Sequence, residues 1–342
     1  MAVRVGINGF GRIGRSFTRA LLARGADAGV ELAAVNDPMG DNHTMAFLLK
    51  HDSVGGTLPN AVEATDEGFS IDGRDVPRLS VMDPAEIPWQ DFDVEVVIES
   101  TGLFTGRENA AKHLGGGVGR VVISAPSNDA DATICMGVND GVFDRAAHTV
   151  ISNASCTTNC LAPLAKVLND SFGIEQGLMT TVHAYTSDQS LVDLAKATRS
   201  GKPDLRRMRA ANLSIIPNTT GAARAIGLVL PELKGKLDGT ALRVPTPTGS
   251  ITDLSANLAK PATIDEVNEA FAKAAADTSY RGVLEYSEEQ LVSADIVGNP
   301  ASCIYSAIDT MANGRMVKVL GWYDNEWGYS NRLVDLVEFV GA

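Results

Sequence analysis

Cys156 stands in the run Ser155-Cys156-Thr157-Thr158-Asn159-Cys160, directly after an apolar strand-like run over 149–154 and directly before a helix-like run over 161–168. A cysteine in the first turn of a helix faces unpaired backbone N–H groups and the positive end of the helix dipole, which favour the thiolate. The spacing therefore predicts an activated nucleophile. Strand-like residues 179–184 carry His183, which alternation puts on the same side as Thr181. A lone histidine in a strand is usually only a hydrogen-bonded residue. Beside a nucleophilic sulfur it becomes the natural proton acceptor and the partner of a developing oxyanion. Cys160, one turn further on, is expected to pack inside the helix, and side-chain vectors four residues apart run too nearly parallel for a Cys156–Cys160 disulfide.

A second chemistry opens the chain. The strand-like run 3–8 leads into Gly9-Phe10-Gly11-Arg12-Ile13-Gly14. In a strand-to-helix turn such glycines allow a tight turn, close approach of a pyrophosphate to the backbone, and close helix packing. The pattern alone is weak, but Asp37 ends the next strand about 20 residues on, where a carboxylate accepts hydrogen bonds from an adenosine ribose. Asp37 also repels a 2′-phosphate, so NAD is expected over NADP. By itself, Asp37 would more simply cap the turn Asn36-Asp37-Pro38.

To hold these groups the chain has 342 residues, 44% of them hydrophobic, and a formal net charge of −13. That length buries roughly three quarters of the unfolded surface and suffices for two domains. The acidity opposes binding to nucleic acid or an anionic membrane, and no apolar stretch approaches the roughly 18 residues of a membrane span. The exception is a cationic stretch, Arg199, Lys202, Arg206, Arg207 and Arg209. Four scattered cysteines, Cys135, Cys156, Cys160 and Cys303, fit neither a disulfide framework nor a metal site. With no signal-peptide layout at Met1-Ala2-Val3-Arg4, a cytoplasmic location is expected.

Strand-like and helix-like runs alternate through the first half: 3–8, 15–23, 32–36, 42–49, 94–99, 109–113, 120–124 and 149–153. Short antiparallel strands are expected between Gly55 and Leu79. That rhythm predicts a doubly wound parallel sheet of Rossmann type. After a helix over 161–170 the texture becomes β-rich (177–184, 240–244, 251–258, 302–308, 316–322), with one further clear helix over 264–277 and a closing amphipathic helix over 328–340. The expected fold class is α/β, a Rossmann sheet plus an α+β catalytic domain with a mixed sheet. Residues 1–152 are expected to form an NAD-binding domain and 153–324 a catalytic domain; that the C-terminal helix 325–342 completes the first is implied by the resemblance of the motifs to a known family.

The motifs together resemble phosphorylating glyceraldehyde-3-phosphate dehydrogenase over nearly the whole chain: Gly6 to Gly14, Asn36-Asp37, Glu99-Ser100-Thr101-Gly102, Ser155 to Cys160, and Thr181 to Thr186. They continue through Thr219-Thr220-Gly221-Ala222-Ala223, Arg243 to Pro247, and Trp322-Tyr323-Asp324-Asn325-Glu326. The resemblance implies a glycolytic enzyme that adds Cys156 to the aldehyde of glyceraldehyde 3-phosphate. Hydride then passes to NAD, and inorganic phosphate cleaves the thioester to give 1,3-bisphosphoglycerate. It implies that Thr186 and Arg243 hold the substrate phosphate, that Ser155, Thr157, Thr220 and Gly221 surround the attacking phosphate, and that the protein is a homotetramer. For NAD it implies Gly9, Phe10, Gly11, Arg12, Ile13, Asp37, Thr101, Gly102, Ser124 and Asn325.

The pattern departs from the family in three places. The link from Leu194 to Pro203 is longer by several residues and lacks the usual histidine, which predicts an altered cofactor or inhibitor response with the chemistry intact. Met82 replaces a common arginine near the adenine edge, so one cofactor contact is expected to be missing. Gly55-Gly56-Thr57 replaces a bulkier, more polar loop. Rival readings are an erythrose-4-phosphate dehydrogenase, a catalytically silent NAD-binding paralogue with a regulatory role, and a thiol hydrolase. The last leaves the glycine loop and Asp37 unexplained.

Overall fold

A computed structural model describes residues 2–25, 28–195 and 204–341. The chain forms two compact units, Met1–Ser155 with Tyr329–Ala342, and Cys156–Gly328.

The first unit runs β1 (Val3–Asn8), α1 (Arg12–Arg24), β2 (Val30–Asn36), α2 (Asn42–Lys50), β3 (His51–Asp52), β4 (Gly56–Thr57), β5 (Val62–Ala64), β6 (Gly68–Ile71) and β7 (Arg74–Leu79). It continues β8 (Val96–Glu99), α3 (Arg107–Ala110), β9 (Arg120–Ile123), β10 (Ala132–Thr133) and β11 (Val150–Ser152). Nine of these strands form one sheet in the order β10-β11-β9-β8-β1-β2-β7-β6-β5. From β10 to β7 every pairing is parallel; β5, β6 and β7 pair antiparallel, which is the ribbon expected between Gly55 and Leu79. The central strands are buried on both faces, with Val5, Ile7, Val97, Ile98, Val121 and Val122 inaccessible, as parallel strands covered on both sides require. In register, Glu99, Asn8 and Asn36 lie side by side at the strand ends where the first glycine turn begins.

The second unit contains α4 (Cys156–Phe172), β12 (Ile174–Ala184), β13 (Ile216–Thr219), α5 (Ala222–Val229), β14 (Leu237–Val244), β15 (Ser250–Leu258), α6 (Ile264–Ala276), β16 (Leu284–Ser287), β17 (Cys303–Asn313) and β18 (Met316–Tyr323). A last helix, α7 (Trp327–Gly341), follows. The sheet order is β13-β14-β12-β15-β18-β17-β16, with β12–β14 and β16–β17 parallel and the rest antiparallel. α4, α5 and α6 pack against the sheet, and every second residue of β15 from Ser250 to Leu258 is buried. The fold is therefore α/β with a mostly parallel doubly wound sheet and a separate mixed sheet.

The structure corrects several boundaries. α4 begins at Cys156 and runs through Pro163 rather than starting at 161. Helix 109–113 is one α-turn, Arg107–Ala110, followed by a 3-10 turn. α5 contradicts the expectation of only one further helix after α4. Its apolar stripe, Ala222, Ala223, Ile226 and Val229, has helical spacing, but at eight residues, with Gly227 inside, it is too short to stand out from the surrounding turns.

Candidate active site

β12 and β14 run side by side in parallel, with His183 directly paired to Arg243. That register, invisible in the sequence, brings an imidazole and a guanidinium together at the strand ends. α4 brings the sulfur: Cys156, its first residue, has Sγ 3.4 Å from His183 Nε2. The predicted pair is thus assembled in one unit. On the other side of the ring, Nδ1 lies 2.7 Å from the Ala184 carbonyl and 3.0 Å from Arg243 NH1. The same NH1 donates to Ala184 O and to Thr186 Oγ1, each at 3.0 Å. Arg243, Thr186 and His183 therefore form one cluster.

Opposing forces act on the charge state of the pair. Burial pushes the Cys156 thiol up, and the Arg243 charge with the Thr157 hydroxyl and N–H pulls it only part of the way back. Burial, helped by Arg243, holds the His183 imidazole down at about 3. Burial thus favours the neutral thiol and the neutral imidazole, while Arg243 and the helix start pull the sulfur the other way. Two residues before α4, Ala154 takes φ +54°, an uncommon left-handed conformation for a residue with a Cβ.

Sequence reasoning missed three neighbours. The buried Tyr323 hydroxyl bonds Thr157 Oγ1 at 2.9 Å and Thr181 Oγ1 at 2.8 Å, and its ring meets His183 edge-on at 5.8 Å. Asp188 accepts from the Thr186 hydroxyl and, at 2.6 Å, from Arg207 NH1. Burial works to raise the Asp188 carboxyl, but the Thr186 hydroxyl and the Arg243 and Arg207 charges outweigh it and hold it below the usual range. Arg207 also reaches Asn218 Oδ1 at 3.1 Å and Asp204 at 3.2 Å. In the sequence Tyr323 figures only within the Trp322–Glu326 motif and Arg207 only in the cationic stretch, and the signal for Asp188 is the Thr-x-Asp spacing after His183.

Gly221 precedes α5 with no side-chain cap, and a Cβ there would enter open space; the Thr220 hydroxyl accepts the Ala222 N–H at 3.2 Å. Thr157 is buried and engaged by Tyr323, while Ser155 is the residue immediately before α4. Asn325 Oδ1 accepts from Ser250 Oγ at 2.8 Å, and Ser250 in turn accepts the Ala184 N–H at 3.0 Å. Asn325 Nδ2 is left as the donor. Cys160 is buried, its Sγ 3.4 Å from Gly321 O, and all four cysteines are free thiols.

The first unit holds the other candidates. Gly9 has φ +93°, and a Cβ on it would lie 2.5 Å from Thr101 N, so a side chain is excluded. Gly14 lets α1 approach, since its Cβ would lie 2.5 Å from Gly9 O. A Cβ on Gly11 would project into open space at the start of α1, where no side chain caps the first turn. That uncapped cradle, with the amides of Arg12 and Ile13, fits a pyrophosphate. Asp37 Oδ2 accepts the Phe10 N–H and Oδ1 the Met39 N–H, both at 2.8 Å. Each oxygen keeps a second lone pair for a ribose hydroxyl. Arg12 pairs with Asp52 through two bonds of 2.9 and 3.3 Å. Ser124 N–H and Oγ both donate to Glu99 O, and Gly102 has φ +65° in the turn after Thr101. Met82 is exposed.

Residues 196–203 of the lengthened link, with Arg199 and Lys202, lie outside the described residues. The flanks are joined by Leu194 N to Met208 O at 2.9 Å and by Arg209 to Asp193 at 2.7 Å.

Residues 3–107 match the family described as glyceraldehyde 3-phosphate dehydrogenase, NAD binding domain, and residues 155–325 its C-terminal domain. A protein named glyceraldehyde-3-phosphate dehydrogenase from Streptomyces coelicolor is 58% identical over 342 residues, covering 100% of this chain and 99% of that one. Proteins of the same name from Mycobacterium avium and Mycolicibacterium smegmatis are 56% and 55% identical, over 100% of this chain and 99% of each relative.

Proposed function

Because the chain belongs to the glyceraldehyde-3-phosphate dehydrogenase family, we propose that Cys156 is its nucleophile and His183 its acid–base partner. The enzyme is an NAD-dependent phosphorylating dehydrogenase of glycolysis, converting D-glyceraldehyde 3-phosphate and inorganic phosphate to 1,3-bisphosphoglycerate. The observation that carries the residue assignment is the 3.4 Å approach of Cys156 Sγ to His183 Nε2 beside Arg243.

As Cys156 Sγ bonds to the aldehyde carbon, its proton passes to His183 Nε2. The resulting imidazolium and the backbone N–H at the start of α4 stabilise the oxyanion, which takes a proton from His183 to give the hemithioacetal. NAD, when bound, supplies the hydride acceptor. His183 removes the hemithioacetal hydroxyl proton as the C–O double bond reforms, leaving a thioester on Cys156. Attack by phosphate expels the thiolate, which recovers its proton from His183. Because phosphate rather than water attacks, the thioester's free energy is retained in the acyl phosphate.

Thr186 and Arg243, hydrogen-bonded to each other at 3.0 Å beside His183, are assigned to the substrate phosphate, where a guanidinium gives charge-assisted, oriented bonds. The attacking phosphate is assigned to Thr157, Thr220 and Gly221, with Ser155. For NAD, the first-turn amides of α1 beside Gly9, Phe10, Gly11, Arg12 and Ile13 would take the pyrophosphate, and Asp37 the ribose. Thr101, Gly102, Ser124 and Asn325 complete that set. The NAD-binding domain is read as 1–152 with helix 325–342, and the catalytic domain as 153–324.

The homotetramer is what the family resemblance implies, and the exposed apolar side chains of Leu191, Val192, Leu194, Leu205, Leu213 and Ile215, each more than half exposed, support association with other copies. Such a concentration marks a surface that other copies cover. Four free thiols favour the cytoplasm.

The test follows NADH absorbance with triose phosphate, with and without added phosphate. The parent is expected to turn over in a phosphate-dependent manner, with higher kcat/KM for glyceraldehyde 3-phosphate than for erythrose 4-phosphate. Cys156→Ser should lose at least about a thousandfold in kcat. Parental rates in Cys156→Ser would overturn the assignment.

A further inference from the structure

Glu99 ends β8, and its carboxylate is fully buried, as is the His113 imidazole beside it. A charge at that depth persists only when its lone pairs are filled, and here they are. Oε2 accepts from Asn8 Nδ2 at 2.6 Å and from His113 Nε2 at 3.1 Å; Oε1 accepts the Thr101 N–H at 2.9 Å and the Thr101 hydroxyl at 2.5 Å. The far side of the imidazole fixes its proton. Trp89 Nε1 lies 3.1 Å from His113 Nδ1, and an indole N–H can only donate, so Nδ1 carries the lone pair and Nε2 the hydrogen. Asn8 is oriented in the same way, since its Oδ1 accepts from Asn36 Nδ2 at 2.8 Å. Four donors, from Asn8, His113 and Thr101, converge on one carboxylate.

Packing alone does not call for that charge, because well-packed apolar residues usually serve a strand interior as well or better. What the carboxylate adds is control of Thr101. Both donors of Thr101 end on Glu99 Oε1, and Thr101 Oγ1 then accepts the Leu103 N–H at 2.9 Å. Ser100 Oγ donates to Gly9 O at 2.6 Å, and the backbones of Gly9 and Thr101 are too close for any Cβ on Gly9. The turn after β8 and the glycine loop after β1 thus form one braced lip.

We propose that Glu99 is a positioning residue for the dinucleotide: it holds Thr101, and through Thr101 the turn over residues 100–103 against the glycine loop, while neutral His113 keeps Glu99 in place. The proposal rests on the NAD reading above. It makes His113 a hydrogen-bond adaptor rather than an acid or base.

The experiment is calorimetric titration of NAD into the full-chain protein, with thermal melts to establish folding. Glu99→Gln, whose amide cannot accept from all four donors, should weaken NAD binding about tenfold or more. Thr101→Val should do likewise. The double variant should be no weaker than the weaker-binding single one, because both act through one linkage. His113→Gln keeps one acceptor for Trp89 and one donor for Glu99 and should bind within about threefold of the parent, whereas His113→Leu should match Glu99→Gln. A cluster that served only to stabilise the fold would lower melting temperatures without this rescue or this non-additivity.

Folded Glu99→Gln and His113→Leu proteins with parental NAD affinity, or additive losses in the double variant, would overturn the proposal. A parent that does not bind NAD would overturn the cofactor reading as well, so the two failures are distinguishable. Should Glu99→Gln not fold, Thr101→Val and the two His113 variants carry the comparison.

Discussion

His113 and His183 are equally buried, at 3% exposure each, yet they are opposite kinds of histidine. Around His113, Trp89 can only donate and Glu99 accepts, so the ring has one tautomer. Around His183, Nδ1 faces an acceptor, Ala184 O, and a donor, Arg243 NH1. Only one of those bonds forms at a time. When Nδ1–H donates to Ala184, Nε2 presents a lone pair to the Cys156 thiol. When Arg243 donates into Nδ1, Nε2 carries the proton toward the sulfur and any oxyanion beside it. What separates a reactive histidine from a structural one here is whether its neighbours fix its proton, and burial does not discriminate.

The same substitution at both positions breaks or sharpens that contrast most strongly. His183→Gln keeps a donor and an acceptor but cannot carry a proton between steps, so kcat for NADH formation should fall by about 10²- to 10⁴-fold with melting behaviour retained. His113→Gln should leave kcat within a fewfold of the parent. Comparable losses at the two positions would remove the distinction.

The next effect is on the sulfur. Arg243 lowers both the Cys156 and His183 proton affinities. Burial works to raise the Cys156 thiol, so alkylation of the unliganded parent by iodoacetamide should keep rising with pH through and beyond the ordinary thiol range of about 8.5. In Arg243→Leu the curve should move further to alkaline pH, and kcat/KM for triose phosphate should fall about a hundredfold through loss of the charged phosphate contact. Alkylation of the parent that already levels off below neutral pH would show an ionised thiol at rest and contradict the burial argument.

Cys156 and His183 were legible because their residue types sit at recognisable places, a helix start and a strand end. The first sheet was legible because buried parallel strands read as continuous apolar runs. Tyr323 and Glu99 were visible only as members of motifs, and the parts played by Asp188 and His113 were not visible, because these roles arise from contacts that folding creates. Thr157 and Tyr323 are 166 residues apart, and Asn8 and Glu99 are 91 apart. Sequence shows that Cys156 begins a helix, which favours the thiolate, but not that burial around the sulfur works against it. α5 escaped notice because a single short apolar stripe after Thr219-Thr220-Gly221 looks like a turn.

The smallest expected effect extends the contrast to a carboxylate whose charge, like the proton of His113, is locked. Burial works to raise the Asp52 carboxyl, but the Gly55 N–H, the Arg12 guanidinium and the Val54 N–H overcome it and hold it at about 2. In the unfolded chain an aspartate titrates near 3.9. A lowered folded-state value stabilises the protein at pH above the unfolded value, and that stabilisation disappears as pH falls through the folded one. With its side chain 12% exposed, Asp52 is shielded enough for the shift to count, and it corresponds to about 2 kcal/mol near neutrality. Asp52→Asn should therefore melt below the parent at pH 7 and at pH 5. The gap should shrink to about half by pH 3 and close toward pH 2. A gap independent of pH would mean that Asp52 acts through its shape and neutral hydrogen bonds, and that the charge facing Arg12 is not what holds that arginine beside the glycine loop.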